Sequence, residues 1–315
     1  MTRKTEDCSF RTSIGGQALI EGILMRGPKK QAIVCRTADG LVEKTEELKL
    51  TRDAHPALGL PFIRGCVTLF DSLVKGMQAL TYSASLVPLE EQGEPDKLDV
   101  WIEKHFEGEK AQKLIVASAV VIGVALALFL FIFLPAFIVG LFPQLKAHYF
   151  LRNITEGAVR IIILLLYMKL CCSIGEMKRV FSYHGAEHKT IFCYEHGKPL
   201  TVENVRPESR FHPRCGTSFL LVVVVVSILV NSVVRLDNSF ARMGCHLLLL
   251  PVVVGVSYEI NRWCGKHDNA LSAALSAPGK WLQHMTTNEP DDQMIECAIR
   301  AMELVIPEEK GSDAW

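Results

Sequence analysis

The chain has 315 residues, 49% of them hydrophobic, and its 34 acidic residues balance 34 basic ones. A net charge of zero gives no reason to expect nucleic acid as a partner. The length allows a membrane domain together with about one soluble domain of modest size.

Residues 1–60 are predicted to form a small β-rich element. Segments 31–36 and 41–47 flank the turn sequence Ala38-Asp39-Gly40, a pattern that predicts a hairpin. The pair Gly15-Gly16 precedes another apolar strand and fits neither a phosphate-binding loop nor a dinucleotide fingerprint. We expect these glycines to permit close approach of the backbone to another element. No basic-then-apolar block opens the chain, so the amino terminus is expected to stay in the cytosol.

Residues 61–113 are predicted to comprise an amphipathic helix followed by a charged linker. Between residues 61 and 86 the apolar side chains recur at helical spacing and form one stripe: Ile63, Val67, Phe70, Val74 and Met77. Either the inner membrane surface or the hairpin element could cover this stripe, and the sequence favours neither. Residues 88–109, which contain Gly93 and Pro95, are typical of a linker.

Four apolar stretches predict about four transmembrane helices: residues 114–134, 158–174, 217–234 and 246–260. They form two pairs, within residues 114–174 and 217–260. The first stretch carries no charged residue and is long enough to cross a bilayer outright. The predicted fold class is therefore mainly α, a polytopic membrane protein with the β-rich element and amphipathic helices on its cytosolic side.

Two of these stretches carry residues that need an explanation. In the second, Arg160 and Lys169 lie near opposite ends, from which long side chains can reach the two membrane interfaces. The fourth contains Pro251 and Gly255, so we expect it to be kinked, tilted or only partly inserted.

The distribution of basic residues predicts the orientation. With four crossings and a cytosolic amino terminus, the loop 175–216 and the tail 261–315 are also cytosolic. The loop carries seven basic residues, whereas the two connections predicted on the other side carry four. In the tail, residues 291–305 show helical spacing, and residues 308–315 are expected to be disordered.

The loop 175–216 contains the sequence His184-Gly185-Ala186-Glu187-His188. On a helix the two histidines stand one turn apart on the same face, so both imidazoles can hold one ion while Glu187 lies alongside. His-x-x-Glu-His is the arrangement of inverted zincins, in which the glutamate takes a proton from a water molecule activated by the metal. A third protein ligand is expected from His212 or Cys215.

A rival interpretation uses a different ligand set. Cys193 and His196 form one pair of the spacing seen in structural zinc sites, and His212 and Cys215 form another, with a loop of suitable length between them. A closed site of this kind would only stabilise the loop. Glu259, expected at the inner end of the fourth span, is interpreted either as a further ligand or as the salt-bridge partner of Arg262, and the salt bridge is favoured.

Several motifs together resemble the YqhQ-like family of bacterial integral membrane proteins, over residues 12 to 306. These are Ile14-Gly15-Gly16-Gln17-Ala18-Leu19-Ile20-Glu21-Gly22, Met25-Arg26-Gly27-Pro28, Pro61-Phe62-Ile63-Arg64-Gly65, His184-Gly185-Ala186-Glu187-His188-Lys189-Thr190, Glu203-Asn204-Val205-Arg206 and His212-Pro213-Arg214-Cys215-Gly216-Thr217-Ser218. The resemblance implies a multi-pass protein of the bacterial cytoplasmic membrane and a predicted metal-dependent enzyme with no settled substrate. It also implies metal ligation by His184, His188, His212 and Cys215, with Glu187 as the candidate base.

Two functional classes remain open from the sequence. One is a metal-dependent hydrolase that acts on a peptide or lipid-linked substrate at the cytosolic face. The other is a non-catalytic membrane scaffold or assembly factor, in which the metal fixes a loop that docks a membrane-protein partner such as translocation machinery. In both, the lipid bilayer is a partner and the cofactor is a divalent transition metal, for which His with a thiolate favours zinc. A transporter is less favoured, because no predicted span holds ion-coupling carboxylates.

Overall fold

The computed structural model describes residues 10–51, 55–86, 109–145, 148–236, 238–267, 269–309 and 311–314. Residues 88–108 of the predicted linker therefore lie outside the described part. The chain divides into two compact units: the first comprises Met1–Leu86, Met168–Val223 and Pro251–Trp315, and the second comprises Val87–Tyr167 and Val224–Leu250.

The strands and helices are as follows. The strands are β1 (Gly15–Leu19), β2 (Gly22–Arg26), β3 (Lys30–Thr37) and β4 (Gly40–Glu47). The helices are α1 (Ile63–Ser85), α2 (Glu109–Leu128), α3 (Leu134–Gly140), α4 (Tyr149–Ser173), α5 (Gly175–Glu195), α6 (Val202–Val205), α7 (Gly216–Asn231), α8 (Ser239–Lys266), α9 (Ala270–Thr286) and α10 (Asp292–Glu303). A π-helical turn, Phe129–Phe133, joins α2 to α3. The chain is mainly helical with one small sheet, as the sequence predicts.

The four strands of the first unit form one antiparallel sheet in the order β1-β2-β3-β4. The predicted hairpin is β3 and β4, which close at Thr37 opposite Gly40, and the positive φ of Gly40, 121°, suits glycine at this turn. Strand β2 is buried, whereas β4 is mostly exposed and charged. Because an open, charged sheet edge cannot lie in hydrocarbon, this sheet belongs to an aqueous environment.

Helices cover both faces of the sheet. On one face, α5 and α10 bury a core with β2 and β3 that includes Tyr183, Ile191 and Ile295. On the other face, α1 contributes Ala79 to a smaller core with residues of β2 and β3. Helix α5 is thus held on the sheet by its apolar side chains, and this contact positions the histidines that it carries.

Helix α1 packs on the sheet with a different face from the one that its apolar stripe indicates. The side buried in the first unit consists of small residues, Gly65, Gly76, Ala79 and Ser83. In the stripe, Phe70 and Val74 are exposed, and so is neighbouring Leu73. The sheet therefore takes the small-residue face, and the large apolar side chains point to the surroundings.

The number of membrane-crossing helices differs from the expected four. Two helical stretches, Ile115–Gly140 and Phe240–Lys266, are long and apolar enough to cross a membrane. Helices α4 and α5 add a third candidate only if this pair, which is bent by 100°, is one span. The stretch predicted at 217–234 forms α7, which has only 16 residues. The expectation of four is thus reduced to two or three among the described helices, because α4 carries four charged residues and α7 is short.

Arg160 does not reach a membrane interface as expected, because it is buried inside the second unit. Its guanidinium donates to the Ser227 hydroxyl at 2.6 Å and lies 3.5 Å from the Glu156 carboxylate. The same carboxylate lies 3.4 Å from Arg242 and 3.3 Å from His246. All of these side chains are less than a tenth exposed, so α4, α7 and α8 share a buried ionic cluster.

The C-terminal segment forms a helix as predicted, but its last described residues are ordered. Helix α10 begins at Asp292, and the Asp291 carboxylate caps it by accepting a bond from the Met294 N–H at 2.8 Å. Beyond it, the buried Asp313 accepts a bond from the Thr12 hydroxyl at 2.6 Å. The disorder expected for residues 308–315 is therefore wrong for residues 311–314, because this segment pairs with the start of the sheet.

Candidate metal centre

The His184 and His188 side chains stand one turn apart on α5, as the spacing predicts. Their ring centroids are 4.4 Å apart. Tyr183, Ala186 and Ile191 of the same helix belong to the core under the sheet, so the neighbouring histidines are fixed in place. The predicted helical context of the motif is therefore present.

Both histidines use one ring nitrogen to bind the main chain. His184 Nδ1 lies 2.8 Å from the Thr286 carbonyl oxygen, and His188 Nδ1 lies 2.6 Å from the Arg210 carbonyl oxygen. A carbonyl oxygen can only accept, so each Nδ1 carries the proton and donates. In a neutral imidazole the other nitrogen, Nε2, then keeps its lone pair. Metal-binding histidines are oriented in the same way, by a carbonyl oxygen that accepts from the ring nitrogen that does not bind the metal.

Cys215 supplies a third donor at the same place. Its Sγ lies 3.1 Å from His184 Nε2, and ligand atoms of His184, His188 and Cys215 all lie within 4.8 Å of one another. The Nε2 of His188 is buried and has no hydrogen-bond partner among the described residues. A buried nitrogen of this kind is costly unless something binds it, and a cation is the ligand that two imidazoles and a thiolate share.

The electrostatics of these groups favour a thiolate. Burial raises the pKa of the Cys215 thiol, but His184 and His188 outweigh this effect and hold the pKa well below its usual value. Burial lowers the pKa of His184, but the charge and hydrogen bond of Cys215 raise it to about 9. The pair is thus an imidazolium facing a thiolate when no ion is bound, and a bound cation would take the place of the imidazolium proton.

Glu187 is buried beside the histidines and is anchored to the sheet. One carboxylate oxygen, Oε1, accepts a hydrogen bond from the Gly16 N–H at 3.0 Å, while Oε2 has no hydrogen-bond partner in the part of the chain that the structure describes. Burial raises the pKa of Glu187, although His184 and His188 oppose this shift. A carboxyl group with a raised pKa and a free oxygen is suited to accept a proton and release it.

Two glycines allow the backbone to approach the motif. A Cβ on Gly16 would lie 2.7 Å from the Leu24 oxygen and 3.0 Å from the Glu187 Cδ. A Cβ on Gly185 would lie 2.1 Å from the Asn288 oxygen. The close approach expected at Gly15-Gly16 is therefore found at Gly16, whereas a Cβ on Gly15 would meet nothing within 4 Å.

His212 is adjacent to the three ligands but does not join them. Its Nε2 lies 3.7 Å from the Glu195 carboxylate and 3.3 Å from the Arg214 guanidinium, and its ring centroid is 5.5 Å from that of His188. Burial lowers the pKa of His212 to about 4, so this ring is neutral. Of the four predicted ligands, the structure gathers His184, His188 and Cys215 and directs His212 towards Glu195.

The four residues of the rival zinc site, Cys193, His196, His212 and Cys215, do not converge on one point among the described residues. The Cys193 thiol faces the Pro199 carbonyl oxygen at 3.6 Å, and His196 Nδ1 lies 3.0 Å from the Glu208 carboxylate. Among the described residues, the ligand atoms of Cys193 and His196 therefore point away from Cys215. Glu259 is also accounted for: its carboxylate accepts from Arg64 Nε at 2.7 Å, so its ion-pair partner is Arg64 rather than the expected Arg262.

Glu195 and Arg214 are neighbours of the site that the sequence interpretation missed. Their side chains are paired, Glu195 is buried and Arg214 is partly buried, and both face His212. Glu195 lies two helical turns after His188 on α5, a spacing that could have indicated it. The carbonyl oxygens of Arg210 and Thr286 leave no signal in the sequence, because any residue supplies one.

A cavity of about 380 Å³ opens beside these groups. Its lining includes all of the predicted site residues, the main chain of β1 and the turn before it, and the start of α7: Thr12, Ser13, Ile14, Gly15, Gly16, Gln17, Ala18, Val180, Phe181, His184, Glu187, His188, Ile191, His212, Arg214, Cys215, Gly216 and Thr217. The three donor atoms and the free oxygen of Glu187 are therefore on the wall of a space that can admit a small molecule or a segment of a chain.

Two comparisons with known proteins agree with the motifs. The sequence matches a family described as "Protein of unknown function (DUF1385)" over residues 60–308. It is also similar to "Uncharacterized protein YqhQ" of Bacillus subtilis (strain 168), with 33% identity over 294 residues, which cover 91% of this chain and 90% of that protein. No solved structure matches the chain. The expected YqhQ-like family is confirmed, and neither description states a reaction, a metal or a location.

Proposed function

The chain belongs to the DUF1385 family, whose description assigns no activity, and from the site itself we propose that it is a membrane-bound, metal-dependent hydrolase. The observation that carries this proposal is the pairing of His184 Nδ1 and His188 Nδ1 with main-chain carbonyls, which leaves two Nε2 lone pairs beside the Cys215 thiol. Glu187, with one oxygen free of hydrogen bonds, lies next to this donor set.

The residues fit a divalent transition ion. Two neutral imidazoles and a thiolate are typical zinc donors, and three protein ligands leave a fourth position open. The lack of a partner for the buried His188 Nε2 supports an ion at this point. When bound, the ion would supply the positive charge that polarises water and the carbonyl group of a substrate.

The protein groups around that point have separate roles in the proposed reaction. Glu187 would accept a proton from the attacking water through Oε2 and deliver it to the leaving group, while Gly16 holds Oε1 in place. In this step the water oxygen bonds to the substrate carbonyl carbon, and the bond from that carbon to the leaving group breaks. His212 and Arg214 form a wall next to His188. Glu195 neutralises the positive charge of Arg214.

A non-catalytic scaffold is the second candidate, and one contact favours it. Because Glu187 also binds the Gly16 N–H, the metal and the carboxylate together would tie α5 to β1 without any chemistry. In that case the centre is structural and the fold presents a surface to a partner. The two candidates differ in what Glu187 has to do, since a structural role needs only its hydrogen bond.

A membrane location is supported by the second unit. No part of the most apolar window in Ile115–Gly140 is buried inside the structure, and its side chains, such as Val121 and Ile122, are about two-thirds exposed. Apolar surface of this extent requires lipid or a partner. The exposed Phe70 and Leu73 on α1 are suited to the membrane surface.

We further place both termini and the loop 175–216 in the cytosol of a bacterial cell, which requires an even number of crossings both before and after that loop. Besides α2–α3 and α8, helix α4 would then cross before the loop and α7 after it. At 16 residues α7 is about 24 Å long, shorter than a hydrocarbon core of about 30 Å, so the bilayer would thin around it. The seven basic residues of the loop 175–216 favour the cytosolic side for the metal centre.

The Glu187→Gln variant tests hydrolysis against the scaffold. Full-length wild-type and variant chains in lipid nanodiscs would be incubated with bacterial membrane extract, and the products identified by mass spectrometry. We expect equal metal content in both chains and products from the wild type alone. A variant that forms the same products would rule out the role given to Glu187. Glu176→Gln removes the same charge from an exposed position on the same helix and is the control for handling losses.

A further inference from the structure

Strand β1 forms one edge of the sheet, and no other strand pairs with its outer side in the described part of the chain. The register places Leu19 opposite Gly22 across a two-residue turn, so Leu19, Gln17 and Gly15 direct their main-chain groups at β2. By alternation, the N–H and C=O groups of Gly16 and Ala18 point to the outer side. The bond from the Gly16 N–H to Glu187 agrees with this assignment.

This outer side lies on the wall of the cavity that holds the candidate metal ligands. The cavity lining runs along the chain from Thr12 to Ala18 and includes Glu187 on α5. Gly16 is exposed, and neither Gly15 nor Gly16 has a side chain that would cover the edge. In the described part of the chain, the outward carbonyl oxygen of Gly16 and the N–H and carbonyl groups of Ala18 are thus open to a ligand next to the candidate base, while the Gly16 N–H is bonded to Glu187.

We propose that the substrate of this site is an extended stretch of polypeptide that adds to the outer edge of β1. The inference rests on the proposed hydrolytic function. A residue opposite Ala18 would exchange two main-chain hydrogen bonds with it, and the carbonyl oxygen of Gly16 would accept a third. Residues further along the bound chain would then lie beside Glu187 and the metal ligands, where water adds to a peptide carbonyl, the C–N bond breaks and the new amine receives the proton.

The charges in the cavity favour a peptide over a lipid-linked phosphate. Among the described lining residues, Arg214 is the one permanent cation, and Glu195 neutralises it. A phosphate or diphosphate group bound here would have the proposed ion as its one positive partner, beside the Glu187 carboxylate and the Cys215 thiol, and the described lining would add no unpaired lysine or arginine. A main-chain segment needs no charge partner, because the strand edge satisfies its polar groups.

The test measures binding, not turnover. A dye-labelled pool of short peptides of randomised sequence would be titrated with the full-length chain in nanodiscs and followed by fluorescence anisotropy. Ala18→Pro removes the outward N–H. It breaks no bond to β2, because the main-chain groups of Ala18 point away from that strand, and proline is tolerated at such an edge position. Ala18→Val adds similar bulk and keeps the N–H, so it is the matched control.

We expect Ala18→Pro to bind the pool about tenfold more weakly than Ala18→Val, a difference of about 1.4 kcal/mol. A pool N-methylated at every residue should bind the wild type at least as weakly as the unmodified pool binds Ala18→Pro, and this comparison does not depend on the folding of a variant. Equal binding by the two variants, or binding of a polyprenyl phosphate in place of the pool, would overturn the proposal. If the pool fails to bind while Glu187-dependent products still form from membrane extract, the peptide assignment falls and the hydrolase stands.

Discussion

His188 donates from Nδ1 to the main-chain oxygen of Arg210, 22 residues later in the chain, over 2.6 Å. This bond fixes both the ring and its tautomer, so the lone pair of Nε2 is directed into the site. The His184 ring is held in the same way by Thr286. The segments around residues 210 and 286 are therefore part of the centre, although neither supplies a side-chain ligand.

Gly185→Ala should damage the centre through the backbone. The new Cβ would lie 2.1 Å from the Asn288 oxygen and would push away the segment that contains Thr286, which holds His184. We expect a loss of about 1–3 kcal/mol in unfolding free energy, together with lower metal content. Gly175→Ala on the same helix is the control, since its Cβ would meet nothing within 4 Å and should leave both quantities unchanged. Normal stability and metal content for Gly185→Ala would contradict the geometry.

Gly16→Ala should displace the candidate base, Glu187, without displacing the candidate metal ligands. Its Cβ would lie 3.0 Å from Glu187 Cδ, so the carboxylate must shift away from the Gly16 N–H, whereas Gly15→Ala has free space. We predict retained metal and at least tenfold slower product formation for Gly16→Ala, measured with membrane extract. Equal rates in the two variants would show that the position of Glu187 does not matter.

A bound metal should protect the Cys215 thiol from alkylation more clearly than it protects the other cysteines. His184 and His188 hold the pKa of the Cys215 thiol well below the usual value, which favours the thiolate in the metal-free chain, and alkylation should slow as the pH falls through that pKa. Burial raises the pKa of Cys193 to about 11, so this buried thiol is the control. We predict that N-ethylmaleimide labels Cys215 faster than Cys193 after chelation, and that added zinc suppresses the difference. Labelling of Cys215 that zinc does not change would argue against its role as a ligand.

Arg160→Met should destabilise the second unit. The substitution removes the Ser227 bond and leaves the buried Glu156 carboxylate with less compensation from positive charge. Loss of one partner of a buried ion pair costs about 3–5 kcal/mol, which should appear as a lower unfolding temperature in detergent. Lys169→Met on the same helix changes an exposed residue and should have little effect. Equal unfolding temperatures would mean that Arg160 is not buried in this cluster.

The sequence predicts the parts of the molecule that depend on local periodicity. The hairpin at Gly40, the helix that carries His184 and His188, and the nearby thiol of Cys215 all follow from spacing and turn chemistry. A His-x-x-Glu-His pattern on a helix determines which side chains share a face, and this information is contained in a few consecutive residues.

Features that depend on tertiary packing were not predictable in the same way. His212 faces Glu195 because the turn before α7 orients it, and a pattern search cannot show this. Arg160 is buried because α7 brings Ser227 to its guanidinium and α8 brings Arg242 to the Glu156 carboxylate that Arg160 also faces, whereas the sequence indicated an interface position. The sequence predicted that another element would bury the apolar stripe of α1, but the face of α1 that is buried carries small residues instead.

Metal analysis of the purified full-length chain tests the central claim most directly. We predict about one equivalent of a divalent transition metal per wild-type chain, and its loss in His184→Ala, His188→Ala and Cys215→Ser. His212→Ala and Cys193→Ser, both outside the ligand group, should retain the metal. A wild-type chain that binds no metal, or ligand variants that bind as much as the wild type, would contradict the proposed centre.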